Sequence, residues 1–125
     1  MPRSIMDKVR EARAAVPDIS AEDARALHGR ANVVFVDVRD GEEAALSGRV
    51  AGAVQASRGM LEFKADPALP SRHPDLSPEK TVIVYCASGG RSALAGVALQ
   101  ELGYEDVRNL GGFKDWAEAG GPIER

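Results

Sequence analysis

Residues 81–85, Thr-Val-Ile-Val-Tyr, run without a charged residue straight into Cys86-Ala87-Ser88-Gly89-Gly90-Arg91-Ser92, and the alanine-rich segment 93–102 follows. The run is β-branched and aromatic, which predicts a buried strand. Leu94, Val97 or Ala98, and Leu102 recur at helical spacing, which predicts a helix with those residues on its apolar stripe. Residues 33–39, Val-Val-Phe-Val-Asp-Val-Arg, form a second nearly continuous apolar run, the pattern of a parallel strand covered on both faces. Strand patterns alternate with helix patterns along the rest of the chain. That order predicts an α/β domain around a central parallel sheet.

The segments between these anchors carry their own punctuation. Ser4 with Asp7 reads as a capping box, and Ile5, Val9, Ala12 and Val16 then share one face until Pro17 stops the helix. Residues 1–17 are therefore expected to form an N-terminal helical extension and residues 18–125 the domain proper. The extension either packs on the domain or serves an oligomer. Ser20 with Asp23 opens a second helix that His28-Gly29 closes. A short helix is expected over 40–46, a third strand within 50–56 and a helical turn near 59–63. Four prolines between 66 and 80 predict an irregular connection. A last strand at 106–110 and a last helix at 112–119 complete the pattern, with Trp116 expected in the core.

Cys86 is the only cysteine among 125 residues, and it falls where a strand ends and a helix begins. Backbone N–H groups of a glycine turn and of a helix start can converge on one point and hold an anion there. Arg91 adds a fixed cation, so Cys86 is expected to ionise readily, the thiolate being the reactive form. The Ser88 hydroxyl either bonds the thiolate or satisfies the loop. Arg58 follows the third strand, and it either faces the same mouth as Arg91 or is a solvated surface arginine. Asp37 and Arg39 are read as structural, Asp37 fixing neighbouring N–H groups and Arg39 pairing with Glu42 or Glu43.

A net charge of −3 without a basic run gives no footprint for nucleic acid, and no stretch is apolar enough for a membrane span. A lone cysteine excludes an intrachain disulfide, and the N-terminal residues lack a signal-peptide core, so a cytoplasmic location is expected. Two scattered histidines do not suggest a zinc site, and no metal or organic cofactor is expected.

Cys86, Gly89, Arg91 and Ser92 resemble the active-site loop of the rhodanese (sulfurtransferase) family. Three further stretches extend the resemblance in the family's order: Val36-Asp37-Val38-Arg39, Gly48-Arg49-Val50-Ala51-Gly52-Ala53, and Gly111-Gly112-Phe113-Lys114-Asp115-Trp116 with Ala119-Gly120-Gly121-Pro122. Arg49 and Ala51 depart from the family's usual His and Pro. The resemblance implies a three-layer domain, with a central parallel sheet of about five strands and helices on both faces. It also implies transfer of sulfane sulfur from thiosulfate or a similar small anionic donor to cyanide or a thiol, through a persulfide on Cys86. Cys86 and Arg91 would be the catalytic residues, and Ala87, Ser88, Gly89, Gly90, Ser92 and Arg58 would bind substrate. A persulfide carrier that hands sulfur to an accepting protein is the alternative. A cysteine phosphatase or arsenate reductase fits less well, because only four residues separate Cys86 from Arg91.

Overall fold

The computed structural model describes residues 2–125. In chain order the elements are α1 (Ile5–Ala15), α2 (Ala21–Leu27), β1 (Val33–Asp37), α3 (Gly41–Ser47), β2 (Arg49–Val50), β3 (Val54–Gln55), α4 (Leu61–Ala65), β4 (Thr81–Cys86), α5 (Gly90–Glu101), β5 (Asp106–Gly112), α6 (Phe113–Glu118) and β6 (Ile123–Glu124). The central sheet is parallel, in the order β3-β1-β4-β5.

This sheet has four strands rather than about five. The linker after α1 only begins a fifth: Asp18 makes a single parallel bridge to Asn109, with Asn109 N–H donating to Pro17 O and Ile19 N–H to Asn109 O. Pro17 has no N–H to extend that ladder in the other direction. The strand expected within 50–56 is also divided. Gly52, at φ 79°, turns the chain between its halves, so β3 joins the parallel sheet while β2 pairs antiparallel with β6.

Period-two alternation sorts the strand residues onto two faces. Val34, Val36, Val82, Val84 and Cys86 lie on the side of α5, in one core with Val16, Leu61, Leu76 and Leu99. Phe35, Ile83 and Tyr85 point the other way, into a core with Ile19, Leu110, Phe113 and Trp116. Trp116 is fully buried, as its sequence context predicts, and its indole N–H donates to Pro122 O. The turn that carries Arg49 and Ala51 is closed by the C-terminus: Arg49 pairs with Glu124, Gly52 N–H donates to the same carboxylate, and Ala51 N–H donates to Pro122 O.

The buried face of α5 coincides with the predicted stripe at Ala98 and otherwise differs from it. Ser92, Ala93, Ala95, Gly96, Ala98 and Leu99 are buried, whereas Leu94, Val97 and Leu102 are only partly covered. The reason is that α5 is covered twice, by the sheet and by α1, and small residues permit both approaches. A Cβ on Gly96 would fall 2.7 Å from a methyl of Val16, so that glycine sets how closely the end of α1 can lie. On α1 itself Val9 and Ala12 are buried, as is Val16 just beyond it, while Ile5 is exposed. Helix α1 thus packs against α5. Among the described residues no helix is long and apolar enough to cross a membrane.

Candidate active site

β4 delivers Cys86 to the top of the sheet, and the chain then has to turn within three residues to begin α5. Gly89 makes that turn at φ 101°, a left-handed conformation that a side chain disfavours. The loop is seated on the glycine pair of β5. A Cβ on Gly112 would meet the Ala87 carbonyl at 2.7 Å, and one on Gly89 would come within 3.3 Å of Gly111 Cα. A register shift between Val84 and Tyr85 lets β5 bulge beside the loop, where Gly111 has φ 91°.

The turn brings hydrogen-bonding groups onto the Cys86 sulfur. Gly89 N–H donates to Cys86 Sγ at 2.9 Å, and the Ser92 hydroxyl lies 3.4 Å from the same atom. Cys86 is 1% exposed, and burial alone would push its thiol up. Hydrogen bonding overrides that penalty: the Ser92 hydroxyl and the N–H groups of Ser92, Gly89 and Ser88 bring the thiol below its ordinary value. The thiolate-holding hydroxyl is therefore that of Ser92, not Ser88. Hydrogen bonds from the loop and the helix start are the main causes of that acidity.

Arg91 has a partner that the sequence does not reveal. Its guanidinium grips both carboxylate oxygens of Glu43, at 2.6 and 2.9 Å, across 48 residues of chain. The Arg91 hydrogen bonds hold the Glu43 carboxyl down at about 2, and the carboxylate raises the Arg91 guanidinium further above its ordinary value. Arg39 consequently does not pair with Glu42 or Glu43. It is 3% exposed and pairs with Asp37 at 2.7 Å, donating also to Ser47 Oγ and Gly48 O. Asp37 in turn accepts from the Arg39 N–H and the Tyr85 hydroxyl. These two residues thus tie β1 to the end of α3 and to β4.

The remaining candidates separate into two places. Ala87, Ser88, Gly89, Gly90 and Ser92 are gathered around Cys86 by the loop. Arg58 is elsewhere: it pairs with Glu62 and lines a groove between α1 and α5 with Leu94 and Val97, so it does not share a mouth with Arg91. Two neighbours of the loop are invisible to sequence spacing. Buried Asn109 sets its Oδ1 2.7 Å from the Ser92 hydroxyl, where it competes with Sγ for that group's one proton, and it donates to Gly89 O, holding the loop from β5. Arg13 of α1 lies 3.5 Å from the Ser88 carbonyl. The register position of Asn109, two residues before the glycine pair of β5, is the one local signal that could have marked it.

These bonds make a prediction. The rate of Cys86 alkylation against pH should have a midpoint below the free-cysteine value of about 8.5. Ser92→Ala should raise that midpoint, because the thiolate loses its nearest hydroxyl while burial persists. A parent midpoint at or above the free value would mean that the loop does not favour the anion.

The profile of the rhodanese-like domain matches residues 20–119. A thiosulfate sulfurtransferase from Actinobacillus succinogenes is 34% identical over 114 residues, which span 88% of this chain and 92% of the relative. A polysulfide-sulfur transferase homodimer from Wolinella succinogenes is 34% identical with a TM-score of 0.74, over 94% of this chain and 85% of the other. A Rhodopseudomonas palustris protein of unknown function, described as a possible tyrosine phosphatase, is 41% identical with a TM-score of 0.90, over 99% of this chain and 96% of its own.

Proposed function

Because this chain belongs to the single-domain rhodanese-like sulfurtransferase family, we propose that it moves sulfane sulfur from thiosulfate or a similar anionic donor to cyanide or a thiol through Cys86. The Cys86 thiolate attacks the outer sulfur of thiosulfate. The S–S bond of the donor breaks, sulfite leaves with the electron pair, and a Cys86 persulfide anion remains. Cyanide then attacks the outer sulfur, thiocyanate departs, and the thiolate is restored. Charge balances in both halves, and no proton, metal or external redox agent is required. A thiol of low molecular weight or on an accepting protein can take the place of cyanide.

The observation that carries this reading is the Gly89 N–H on Cys86 Sγ at the N-terminus of α5. Converging N–H groups stabilise negative charge on sulfur before and after transfer, and they need no reorganisation as the reaction proceeds. Arg91 ties the start of α5 to α3 through Glu43, and its charge and that of the Cys86 thiolate favour one another. The loop is the argument against phosphoryl chemistry. Four residues between Cys86 and Arg91 make a ring suited to one added atom, whereas a phosphoryl group brings three oxygens that all need donors.

Paired assays on one preparation test the proposal: thiocyanate formation from thiosulfate and cyanide, and hydrolysis of an aryl phosphate. Many turnovers of sulfur transfer with negligible phosphate release are expected. Faster phosphate hydrolysis than sulfur transfer would replace this reading with that of a phosphatase. Loading of a single sulfur without turnover would replace it with that of a carrier.

A further inference from the structure

An arginine fork held parallel to two oxygens is the usual grip for a carboxylate, sulfonate or phosphate. Here both arms of the Arg91 fork are already filled, by Glu43 Oε1 and Oε2. Glu43 is well anchored in that position. It lies in the first turn of α3, its carboxylate also accepts from the Asp40 N–H, and it lines a shallow depression of about 350 Å³ together with Ala87 of the cysteine loop. Resting on the sulfurtransferase reading, we propose that Glu43 is a specificity-determining residue. It closes the Arg91 fork to tetrahedral oxyanions and so favours donors that present sulfane sulfur without a sulfonate group, namely polysulfide and persulfide anions, over thiosulfate.

The charges beside the loop support this. Arg91 and Glu43 cancel, and Arg39, which lines the same depression, is cancelled by Asp37. Lys114, exposed and 3.7 Å from Glu118, is the other cation of that depression, and Arg13 lies against the loop outside it, 3.5 Å from the Ser88 carbonyl. A donor that carries a sulfonate must therefore displace the Glu43 carboxylate before it can use the Arg91 fork. A linear polysulfide, itself a dianion, has no oxyanion group to seat in the fork. It approaches Cys86 with its terminal sulfur, and the loop N–H groups receive that atom. The pair does not open by titration at ordinary pH, since Arg91 holds the Glu43 carboxyl at about 2.

The test separates anion binding from sulfur chemistry. Sulfate and phosphate are titrated as protectants of Cys86 against iodoacetamide in the parent, Glu43→Ala and Glu43→Gln. The glutamine variant keeps the side-chain volume should the alanine variant fold poorly. Protection should be weak in the parent and require about tenfold less anion in the variants, the scale of one charge-assisted fork. The ratio of kcat/KM for thiosulfate to that for polysulfide should rise by a similar factor. Equal protection in parent and variants, or an unchanged donor ratio, overturns the role of Glu43. If no donor is turned over by any form, the transferase reading falls, while the protection titration still decides whether Glu43 closes the fork.

Discussion

Cys86→Ser folds as the parent does and loses thiocyanate formation by at least about ten-thousandfold, the scale seen when an enzyme's nucleophile is removed. The fold should survive because the change is a single atom in a site already lined with hydrogen-bond donors. Gly89 N–H and the Ser92 hydroxyl can serve an oxygen as they serve Sγ. Activity should not survive, because the serine hydroxyl stays protonated near neutral pH and has no route to a persulfide. Cys86 is the chain's only thiol, so no second residue can take over. Steady-state rates on matched, folded preparations check this. Undiminished thiocyanate formation by the variant would remove Cys86 from the mechanism.

The second large effect falls on stability. Asp37→Ala should cost about 3–5 kcal/mol, because it leaves the Arg39 guanidinium buried without its counter-charge. Asp37 is fully buried and Arg39 nearly so, and the Tyr85 hydroxyl and the Arg39 N–H lose an acceptor in the same change. Against a typical total of about 5–15 kcal/mol, the loss is large enough to move a denaturation midpoint plainly. Asp37→Asn should cost less, since one oxygen still accepts. Activity per folded molecule should largely persist in both, because neither side chain touches the Cys86 loop. Unchanged stability with lost turnover would move Asp37 into the reaction.

The parts legible in the sequence are those set by local chemistry. The 81–85 run, the glycine turn and the helix after it were readable because the buried-strand pattern and the loop composition act over a few residues. The caps at Ser4 and Ser20 were readable for the same reason, and each side chain accepts the N–H three residues on. Asp37 was recognisable as structural from its place at a strand end.

Tertiary pairings left no such trace. Glu43 and Arg91 both sit at helix starts, and only the tertiary structure, which brings their side chains together, shows that each neutralises the other. That pairing is why Arg39 had to find its carboxylate two residues away. The stripe on α5 is legible only in part, at Ala98 and at the partly covered Val97 and Leu102, because hydrophobic spacing marks large residues, whereas a helix packed on two sides buries its small ones. Arg58 was placed by its strand, but its side chain follows Glu62 on the next helical turn. Strand β6 has two residues, and its pairing with β2 follows from the bonds that Glu124 and Pro122 make across the turn.

The central claim is that Cys86 carries sulfur, and intact mass reads this directly. The parent is incubated with thiosulfate, freed of small molecules and weighed, then treated with cyanide and weighed again. The account predicts a gain of one sulfur atom, its complete removal by cyanide with one equivalent of thiocyanate, and no gain in Cys86→Ser. A parent whose mass does not change while Cys86 remains free to alkylate, or an equal gain in the serine variant, would contradict it.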